Sequence, residues 1–448
     1  MAKFFGTDGV RGLANTGKMT PSSMLRLGQV AGQFFASKSE GRPSAVIGKD
    51  TRLSGDMIES ALIAGLTSMG MDVKCAGVIP TSGVSLMTKG LRADLGVMIT
   101  ASHNKYPDNG VKFFGADGCK LSDEAEAAIE ALLIDAELDG VASEDLGRVS
   151  FPEGLQARYI ELCKSTLPKG QNLSGLKIVV DAAHGAAFAT AAATIRELGA
   201  DDVISIGAAP KGDNINAGCG STATDLLSET VVMTGADVGV ALDGDADRLI
   251  MCDETGKIID GDQLLGLIAT SWKSQGRLRG NGLVATVMSN LGLERYLEAH
   301  DMQLVRTQVG DRHVAAKMRA DGYNVGGEQS GHLLMTEYSP TGDGTMAAIQ
   351  ILAEIKRQGR PASEVLTVFE PVPQLLKNVR YSGENPMSHP KLLSAIEAAQ
   401  SELAGQGRVL VRASGTEPLI RVMAEGDDKA LVEGQVDHLV SVIESLFS

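Results

Sequence analysis

One stretch of this 448-residue chain shows most clearly how its strands and helices alternate. Residues 95–100 read LGVMIT, an unbroken apolar run, and residues 101–104 read ASHN. A short apolar run without polar alternation is typical of a strand that is buried on both faces of a sheet. Two further strands are predicted over residues 45–48 and 72–78, and the helix predicted over residues 57–69 lies between them. This repeated strand–helix–strand order predicts an α/β fold with a parallel sheet.

The same order recurs twice, and the last part of the sequence differs. Further apolar strands are predicted over residues 176–180, 237–242, 283–288, 304–309 and 323–326. Near the C-terminus, predicted strands 409–412 and 419–425 enclose a loop and precede a helix over residues 429–446. We therefore predict three α/β domains and a smaller C-terminal α+β domain. Their predicted bounds are residues 1–145, 150–252, 256–367 and 371–448.

Composition and charge narrow the functional classes. The chain is 43% hydrophobic and 22% charged, as in folded globular proteins. No run approaches the ~20 apolar residues that cross a bilayer, and residues 1–11 lack the apolar segment of a secretory signal. The five cysteines are scattered and form no C-x-x-C pair, which favours a reducing cytoplasm. A net charge of −15 without any Lys/Arg run argues against nucleic-acid binding, and no membrane partner is expected.

Ser102 is the first candidate for chemistry because it directly follows a predicted buried strand. Ligands of open α/β sheets bind at the carboxyl ends of strands, where a serine can act as a nucleophile or carry a phosphoryl group. The alternative is a serine that only caps the next turn. A penicillin-binding S-x-x-K site is excluded, since its S-D-N and K-T-G partners are missing, and no G-x-S-x-G of a serine hydrolase surrounds Ser102.

An acidic loop follows the predicted strand 237–242. Residues 243–248 read DGDADR, with carboxylates at i, i+2 and i+4 that point to one side of an extended segment. Three like charges in one place repel, and a hard divalent cation such as Mg2+ or Ca2+ would relieve the repulsion. An EF-hand is excluded because Arg248 occupies the position that needs glycine and because the flanking segments are predicted strands.

Two more loops carry polar groups suited to a sugar phosphate. Residues 327–332 read GEQSGH, and the Glu328 carboxylate with the Ser330 hydroxyl suits vicinal sugar hydroxyls, although a turn with a satisfied glutamate explains them equally well. Residues 412–418 read RASGTEP, and Arg421 follows. A guanidinium fork, two hydroxyls and free backbone N–H groups in one tight loop form a phosphate cradle. The cradle residues are Arg412, Ser414, Gly415, Thr416 and Arg421.

Several nucleotide and metal motifs are missing from the sequence. It contains neither an intact G-x-x-x-x-G-K-[ST] loop nor a G-x-G-x-x-G fingerprint, which argues against a Walker ATP site and a Rossmann NAD site. None of the seven histidines has metal-ligand spacing to another histidine.

The four loops, in this order, resemble those of the α-D-phosphohexomutase superfamily. The resemblance runs from residues 5–12, FGTDGVRG, to Arg421 and so covers nearly the whole chain. Within the superfamily, the GEQSGH motif, residues 310–312 (GDR) and residues 341–344 (TGDG) are similar to members that act on glucosamine phosphates. The resemblance implies three α/β domains with mixed sheets and a smaller C-terminal domain around a central cleft.

The resemblance also implies roles for the candidate residues. Ser102 is phosphorylated in the resting enzyme, and Asp243, Asp245 and Asp247 hold one Mg2+ per subunit with a phosphoserine oxygen. Glu328 and Ser330 bind sugar hydroxyls, and the cradle residues hold the idle phosphate. The residues around the transferring group are Arg11, His103, Lys112 and Arg248. The general base is left unassigned, with Lys112 favoured over Arg11 and His103.

The implied reaction converts glucosamine 6-phosphate to glucosamine 1-phosphate through a sugar 1,6-bisphosphate, for UDP-N-acetylglucosamine and cell-wall synthesis. The expected partner is this small sugar phosphate. The first phosphoryl donor to Ser102 is unknown, with autophosphorylation as one option, and the oligomeric state is open, with a homodimer as one option. The alternatives are a phosphoglucomutase or phosphomannomutase and, from another class, a non-catalytic sugar-phosphate binding protein.

Two residues depart from the superfamily pattern. Lys105 stands where members often have proline after Ser-His-Asn, and Ala246 replaces a common glycine. Lys105 affects the expected rigidity of the loop and adds a cation near the phosphate. Neither departure removes an implied role.

Overall fold

The computed structural model describes residues 4–6, 8–39, 41–135, 138–382, 385–414 and 418–446. Within these residues the strands form four sheets, of six, five, four and three strands. None of the helices in the described part of the chain combines the length and the apolar composition needed to span a bilayer.

The first sheet belongs to the N-terminal α/β unit. Its strands are β1 (Val10–Leu13), β2 (Ser44–Lys49), β3 (Asp72–Val78), β4 (Leu95–Ile99), β5 (Asp108–Gly115) and β6 (Val149–Ser150), in the order β1-β5-β4-β2-β3-β6. Its helices are α1 (Pro21–Ala36), α2 (Gly55–Ser68), α3 (Thr81–Gly90) and α4 (Asp123–Asp135). The predicted parallel pairing holds for β2 with β3 and β4, but β5 runs antiparallel to both β4 and β1, so the sheet is mixed.

The next two units repeat this plan with smaller sheets. The second has strands β7 (Lys177–Asp181), β8 (Asp202–Ile206), β9 (Val238–Leu242), β10 (Leu249–Asp253) and β11 (Ile258–Ile259), and helices α5 (Leu155–Lys164), α6 (Ala191–Glu197) and α7 (Asp225–Thr234). The third has strands β12 (Gly282–Thr286), β13 (Gln303–Thr307), β14 (Val325–Gly327) and β15 (Leu333–Met335). Its helices are α8 (Gly261–Ser274), α9 (Leu291–Ala299), α10 (Asp311–Asp321), α11 (Gly344–Gln358) and α12 (Ala362–Leu366).

The C-terminal unit is a three-stranded antiparallel sheet covered by two helices. Its strands are β16 (Gln374–Arg380), β17 (Gly407–Ala413) and β18 (Leu419–Gly426), in the order β16-β18-β17. Its helices are α13 (Pro390–Leu403) and α14 (Lys429–Glu444). The predicted α/β fold with mixed sheets and a smaller C-terminal α+β unit is confirmed.

The units differ in how their cores connect. One continuous buried cluster takes in Met87 of the first unit, Tyr159 of the second and Trp272 of the third. Helix α11 lies in this cluster and is buried along almost its whole length, since it packs against α5 and α8. The C-terminal unit has a separate core, which includes Leu392, Ile420 and Leu439. The three α/β units are thus fused through shared apolar packing, and the C-terminal unit is an independently packed module.

Candidate active site

Ser102 lies in a tight turn three residues beyond the end of β4. Its backbone φ is 51°, in the left-handed region that residues other than glycine seldom adopt. The side chain is buried, and its Oγ donates a hydrogen bond of 2.6 Å to Oδ2 of Asp243. A Cβ at Gly244 would lie 2.5 Å from the carbonyl oxygen of Ser102, so this close approach requires glycine. The serine turn of the first unit therefore meets the acidic loop of the second.

Asp243, Asp245 and Asp247, here called the acidic cluster, follow the carboxyl end of β9 and are all buried. One ligand atom from each lies within 4.8 Å of the others. The extended segment that the sequence predicts is wrong: the chain turns here, with the Ala246 N–H donating to the Asp243 carbonyl at 3.0 Å. Ala246 has φ 59°, a conformation that glycine adopts more readily than alanine. The turn, not strand alternation, brings the three carboxylates together.

Some oxygens of the acidic cluster accept hydrogen bonds from the protein, and others accept none from the described residues. Oδ2 of Asp245 accepts hydrogen bonds from Thr81 Oγ1 at 2.6 Å and from Lys112 Nζ at 2.8 Å. Oδ2 of Asp247 accepts from Lys112 at 3.0 Å. Oδ1 of Asp245 and Oδ1 of Asp247 are buried and accept no hydrogen bond from the described residues, although His332 Nδ1 lies 3.5 Å from Oδ1 of Asp247. A hard divalent cation would satisfy these oxygens, so the residues fit a metal site.

The charges of this site shift one another's pKa values strongly. Burial, together with Asp247 and Asp245, raises the pKa of Asp243 to about 8. Burial disfavours the charge of Lys112, but its ion pairs raise its pKa well above the usual value. Its Nζ lies 2.8, 3.0 and 3.3 Å from carboxylate oxygens of Asp245, Asp247 and Asp8. Lys112 is therefore placed as a fixed cation, which argues against the general-base role favoured from the sequence.

The other three predicted residues of the reacting end surround Ser102 and the acidic cluster. His103 has its Nδ1 3.4 Å from Ser102 Oγ, and burial with the charges of Arg248 and Arg11 lowers its pKa to about 4. Arg248 donates its backbone N–H to Asp243 Oδ1 at 3.2 Å, and Arg11 forms an ion pair with Asp8. The Nε atoms of both arginines are buried without a hydrogen-bond partner among the described residues. Unpartnered guanidinium donors beside a serine suit an anionic group.

The loop with Glu328 and Ser330 packs directly on the strand that follows the acidic cluster. The Leu249 N–H donates to the Gly331 carbonyl at 2.9 Å. Gly331 has φ 93°, and a Cβ there would lie 2.3 Å from the Leu249 carbonyl oxygen. Glu328 Oε1 accepts from the Gly310 N–H at 2.9 Å, while the exposed Ser330 lies 3.4 Å from its Oε2. The structure thus brings Glu328 and Ser330 to the same region as Ser102, next to the GDR loop.

A buried chain of charges behind this loop was not predicted from the sequence. His332 has Nδ1 3.5 Å from Asp247 and Nε2 3.3 Å from Asp311. Burial opposes the charge of His332, but Asp247 and Asp311 raise its pKa to about 9. Lys120 continues the chain with ion pairs to Asp311 and Asp8. The signal that could have revealed it is the presence of ionisable residues inside otherwise glycine-rich loops.

Arg412 and Arg421 lie on a separate element, the C-terminal hairpin formed by β17 and β18. The two arginines are directly opposite each other in the antiparallel register. Both Nε atoms are buried without a hydrogen-bond partner among the described residues, and burial with the charge of Arg421 lowers the pKa of Arg412. Like charges in opposed positions destabilise a hairpin unless an anion joins them. Ser414 follows β17, while Gly415 and Thr416 lie outside the described residues.

Comparisons with known proteins agree with this fold and with the order of its domains. Domain models of the phosphoglucomutase/phosphomannomutase family match in chain order: α/β/α domain I at residues 2–139, domain II at 157–256, domain III at 260–372 and the C-terminal domain at 376–442. A phosphoglucomutase/phosphomannomutase family protein of Burkholderia thailandensis shares the fold. Its TM-score is 0.84 at 22% identity, covering 99% of this chain and 97% of that chain. N-acetylphosphoglucosamine mutase of Aspergillus fumigatus, solved in complex with GlcNAc-6P and magnesium, has a TM-score of 0.67 at 20% identity, covering 99% and 96%.

The fold and the domain order together define the class: the chain belongs to the phosphoglucomutase/phosphomannomutase family. A relative that matches nearly the whole chain narrows the assignment within this family. Phosphoglucosamine mutase of Phenylobacterium zucineum is 55% identical over 444 residues, which are 99% of this chain and 98% of the relative. The resemblance found in the sequence and the predicted enzyme class, an isomerase of the phosphomutase type, are confirmed.

Proposed function

We propose that this chain interconverts glucosamine 6-phosphate and glucosamine 1-phosphate through a phosphorylated Ser102 and a 1,6-bisphosphate. The observation that carries the proposal is the 2.6 Å contact between Ser102 Oγ and Asp243 of a buried acidic cluster. It places a hydroxyl that can carry a phosphoryl group beside carboxylates that can hold a cation. The 55% identity to a phosphoglucosamine mutase supports the amino-sugar substrate.

The acidic cluster supports one Mg2+ per subunit. Its three carboxylates, with an oxygen of the phosphoserine, give the all-oxygen donor set that this cation prefers. When bound there, Mg2+ would withdraw negative charge from the transferring phosphoryl group. Lys112 and Thr81 hold Oδ2 of Asp245, which leaves its Oδ1 for the metal.

The chain's own residues account for the transfer step. The sugar's free anomeric hydroxyl forms the new O–P bond, the P–Oγ bond to Ser102 breaks, and the hydroxyl's proton is transferred to Ser102 Oγ. Phosphoryl transfer requires positioning and charge neutralisation above all. Arg11, Lys112 and Arg248 supply fixed positive charge around the transferring group. His103 is neutral at pH 7, given its pKa of about 4, and lies close enough to Ser102 to exchange a proton.

Holding the idle phosphate is the second requirement, since the bisphosphate must turn round before its 6-phosphate returns to Ser102. Arg412 and Arg421 face each other without a partner among the described residues, as a phosphate-binding pair would. Ser414, Gly415 and Thr416 complete this cradle in the proposal, and Glu328 and Ser330 hold the sugar ring. A homodimer and the autophosphorylation of Ser102 stay predictions.

A side-by-side assay tests the proposed substrate. The purified protein, with Mg2+ and a trace of the matching 1,6-bisphosphate, is given glucosamine, glucose and mannose 6-phosphates, and kcat/KM is measured for each. We expect the highest value for glucosamine 6-phosphate. A higher value for glucose or mannose phosphate would assign the chain to that activity instead, and no turnover of any of them would leave only a sugar-phosphate binding protein.

A further inference from the structure

Arg52 lies in the turn after β2 and reaches the underside of the Ser102 loop. The side chains of Arg52 and of its neighbour Asp50 are fully buried, and they form an ion pair of 2.9 Å. No family motif quoted above includes either residue. Their position matters because β2 pairs directly with β4, the strand that ends in the Ser102 turn.

Arg52 uses every hydrogen-bond donor that a guanidinium has. Such a group carries five N–H donors in one rigid plane. Its Nε donates to Oδ2 of Asp50 at 2.9 Å. The other four donate at 2.6–3.0 Å to carbonyl oxygens of the serine loop, those of Lys105, Asp108, Ser102 and Asn104. One side chain therefore gathers four carbonyls of a seven-residue loop around a single cation.

Asp50 and Thr100 connect this cation back to the other end of the loop. Asp50 Oδ1 accepts from the backbone N–H of Arg52 at 2.9 Å, and its Oδ2 accepts from Thr100 Oγ1 at 2.7 Å. The same Thr100 oxygen accepts from the Ser102 N–H at 2.9 Å. We call Asp50, Arg52 and Thr100 the loop brace. Asn216 of the second unit adds a bond of 2.9 Å to the Ser102 carbonyl from outside the brace.

Two physical consequences follow for Ser102. Its φ of 51° is a strained conformation that persists only where surrounding contacts fix it. A phosphoserine at this position would also be repelled by nearby carbonyl dipoles, and Arg52 binds the negative ends of four of them. In-line phosphoryl transfer tolerates little error, since a displacement of ~1 Å can cost about 100-fold in rate.

We propose that the loop brace positions Ser102 for phosphoryl transfer, with Arg52 as its central positioning residue. Arg52 acts through the loop backbone and touches no reacting atom. This inference rests on the proposed function, because it assigns to the brace the orientation of the serine that carries the phosphoryl group.

The test is Arg52→Lys, which keeps the charge but cannot make the five directed bonds. We expect kcat with glucosamine 6-phosphate to fall about 100-fold and KM to change less than about threefold, because the sugar and cradle residues are untouched. Phosphorylation of Ser102 by glucosamine 1,6-bisphosphate, followed by intact mass in a single turnover, should slow by the same factor. A general loss of packing would not separate kcat from KM in this way.

Arg277→Lys is the matched control. Arg277 also uses its guanidinium in several contacts: it pairs with Glu337, bonds Tyr338 and lies 4.4 Å from the ring centroid of Trp272. We expect this variant to lose thermal stability while kcat stays within about twofold of the wild type. The control separates the loss of a well-bonded arginine from the loss of the brace.

Thr100→Val keeps the proposal testable if Arg52→Lys does not fold. It preserves side-chain shape and removes the oxygen that joins Asp50 to Ser102, so kcat should fall about tenfold. Wild-type kcat and wild-type phosphorylation of Ser102 in the folded brace variants would overturn the proposal. Wild-type protein is assayed in parallel: if it fails to turn over glucosamine 6-phosphate, the proposed function fails, and the brace is then judged by Ser102 phosphorylation alone.

Discussion

The reacting end of the site and the C-terminal hairpin deal with charge in opposite ways. Around Ser102 most of the charges are buried and paired with one another: Lys112 alone lies within 3.3 Å of three carboxylates, and Arg248 is the exception among the described residues, since its guanidinium forms no ion pair. In the hairpin, Arg412 faces Arg421 and neither guanidinium has an ion-pair partner among the described residues. The reacting end is thus largely preorganised, whereas in the proposed function the hairpin would be completed by the anion that it binds.

The reacting end and the hairpin also differ in the hydrophobic cores on which they are built. The acidic cluster follows β9, a strand of the continuous core. The serine turn follows β4, which contributes Met98 to that core and Val97 and Ile99 to a second buried cluster of the first unit, whereas the hairpin belongs to a module with its own core. Interactions fixed before the substrate arrives act mainly on the transition state, and those made by a ligand-completed site act mainly on binding. Substitutions at the reacting end should therefore lower kcat, and substitutions in the hairpin should raise KM.

The largest expected effect is that of Ser102→Ala. It removes the only atom proposed to carry the phosphoryl group, so activity should fall at least about 1000-fold with the fold intact. Intact mass should show one phosphate on the wild type and none on the variant. Ser228→Ala serves as the control. It removes a half-buried hydroxyl that donates to the Gly256 carbonyl in the second unit. A phosphate that survives in Ser102→Ala would refute the assignment.

Removal of one carboxylate from the acidic cluster should have the next largest effect. Asp245→Asn keeps an oxygen for Thr81 but loses a buried anionic donor, so metal affinity should fall more than about 100-fold, beyond the typical cost of an outer partner. EDTA should silence the wild type, and added Mg2+ should restore it. Asp253→Asn, which alters a buried carboxylate that holds a turn, should lose stability without altering the Mg2+ dependence. Full activity after exhaustive chelation would contradict the metal role.

Much of the reacting end of the site could be predicted from the sequence, and the reason is physical. Strands β2, β4 and β9 are continuous apolar runs, so the loops that follow them, with Ser102 and the acidic cluster, stand out. Strand β5 went unpredicted because its run is interrupted by Lys112, a charge that is buried beside the carboxylates of Asp245 and Asp247 of the second unit and of Asp8. Strand β16 also went unpredicted, since it begins directly after Pro373, close to the boundary predicted between residues 367 and 371.

The residues that contact the site loops from distant positions in the chain were harder to predict from the sequence than the loops themselves. His332 meets Asp247 across 85 positions, and Lys120 meets Asp311 across 191. No local pattern encodes contacts of that separation. The same holds for the loop brace, since Arg52 and Ser102 are 50 positions apart and meet only because β2 and β4 are neighbours in the sheet. The sequence thus indicated the candidate loops of the site, and the structure showed which distant residues contact them.

The hairpin arginines should affect binding more than chemistry. Arg412→Ala or Arg421→Ala removes a charge-assisted contact to the idle phosphate, worth about 1–3 kcal/mol, so KM should rise about ten- to a hundredfold. Phosphorylation of Ser102 should be unchanged, and the 1,6-bisphosphate should escape into solution more often. Lys377→Ala, which breaks an exposed ion pair with Asp437 in the same unit, should change neither. Unchanged KM and unchanged bisphosphate release would show that the arginines have another role.

The smallest effect, and the sharpest test of substrate choice, concerns Glu328. One oxygen of its carboxylate is fixed and the other is less so: Oε1 accepts from the Gly310 N–H at 2.9 Å, while among the described residues Oε2 has a single hydrogen-bond contact, with Ser330 at 3.4 Å. A carboxylate oxygen left this free gains a charge-assisted bond with a protonated 2-amino group, which a neutral 2-hydroxyl replaces only in part. We expect the wild type to prefer glucosamine over glucose 6-phosphate by about ten- to a hundredfold in kcat/KM.

Glu328→Gln is nearly isosteric and can keep the bond from Gly310, so it removes the charge and leaves the loop in place. The preference for glucosamine 6-phosphate should shrink by up to about tenfold, while glucose 6-phosphate turnover changes less. Ser330→Ala provides the comparison, because loss of a neutral hydroxyl should lower kcat/KM for both sugars by similar factors. If Glu328→Gln also lowers kcat/KM equally for both sugars, the carboxylate binds the ring or stabilises the loop but does not discriminate the 2-amino group. Discrimination would then have to come from another contact to the sugar.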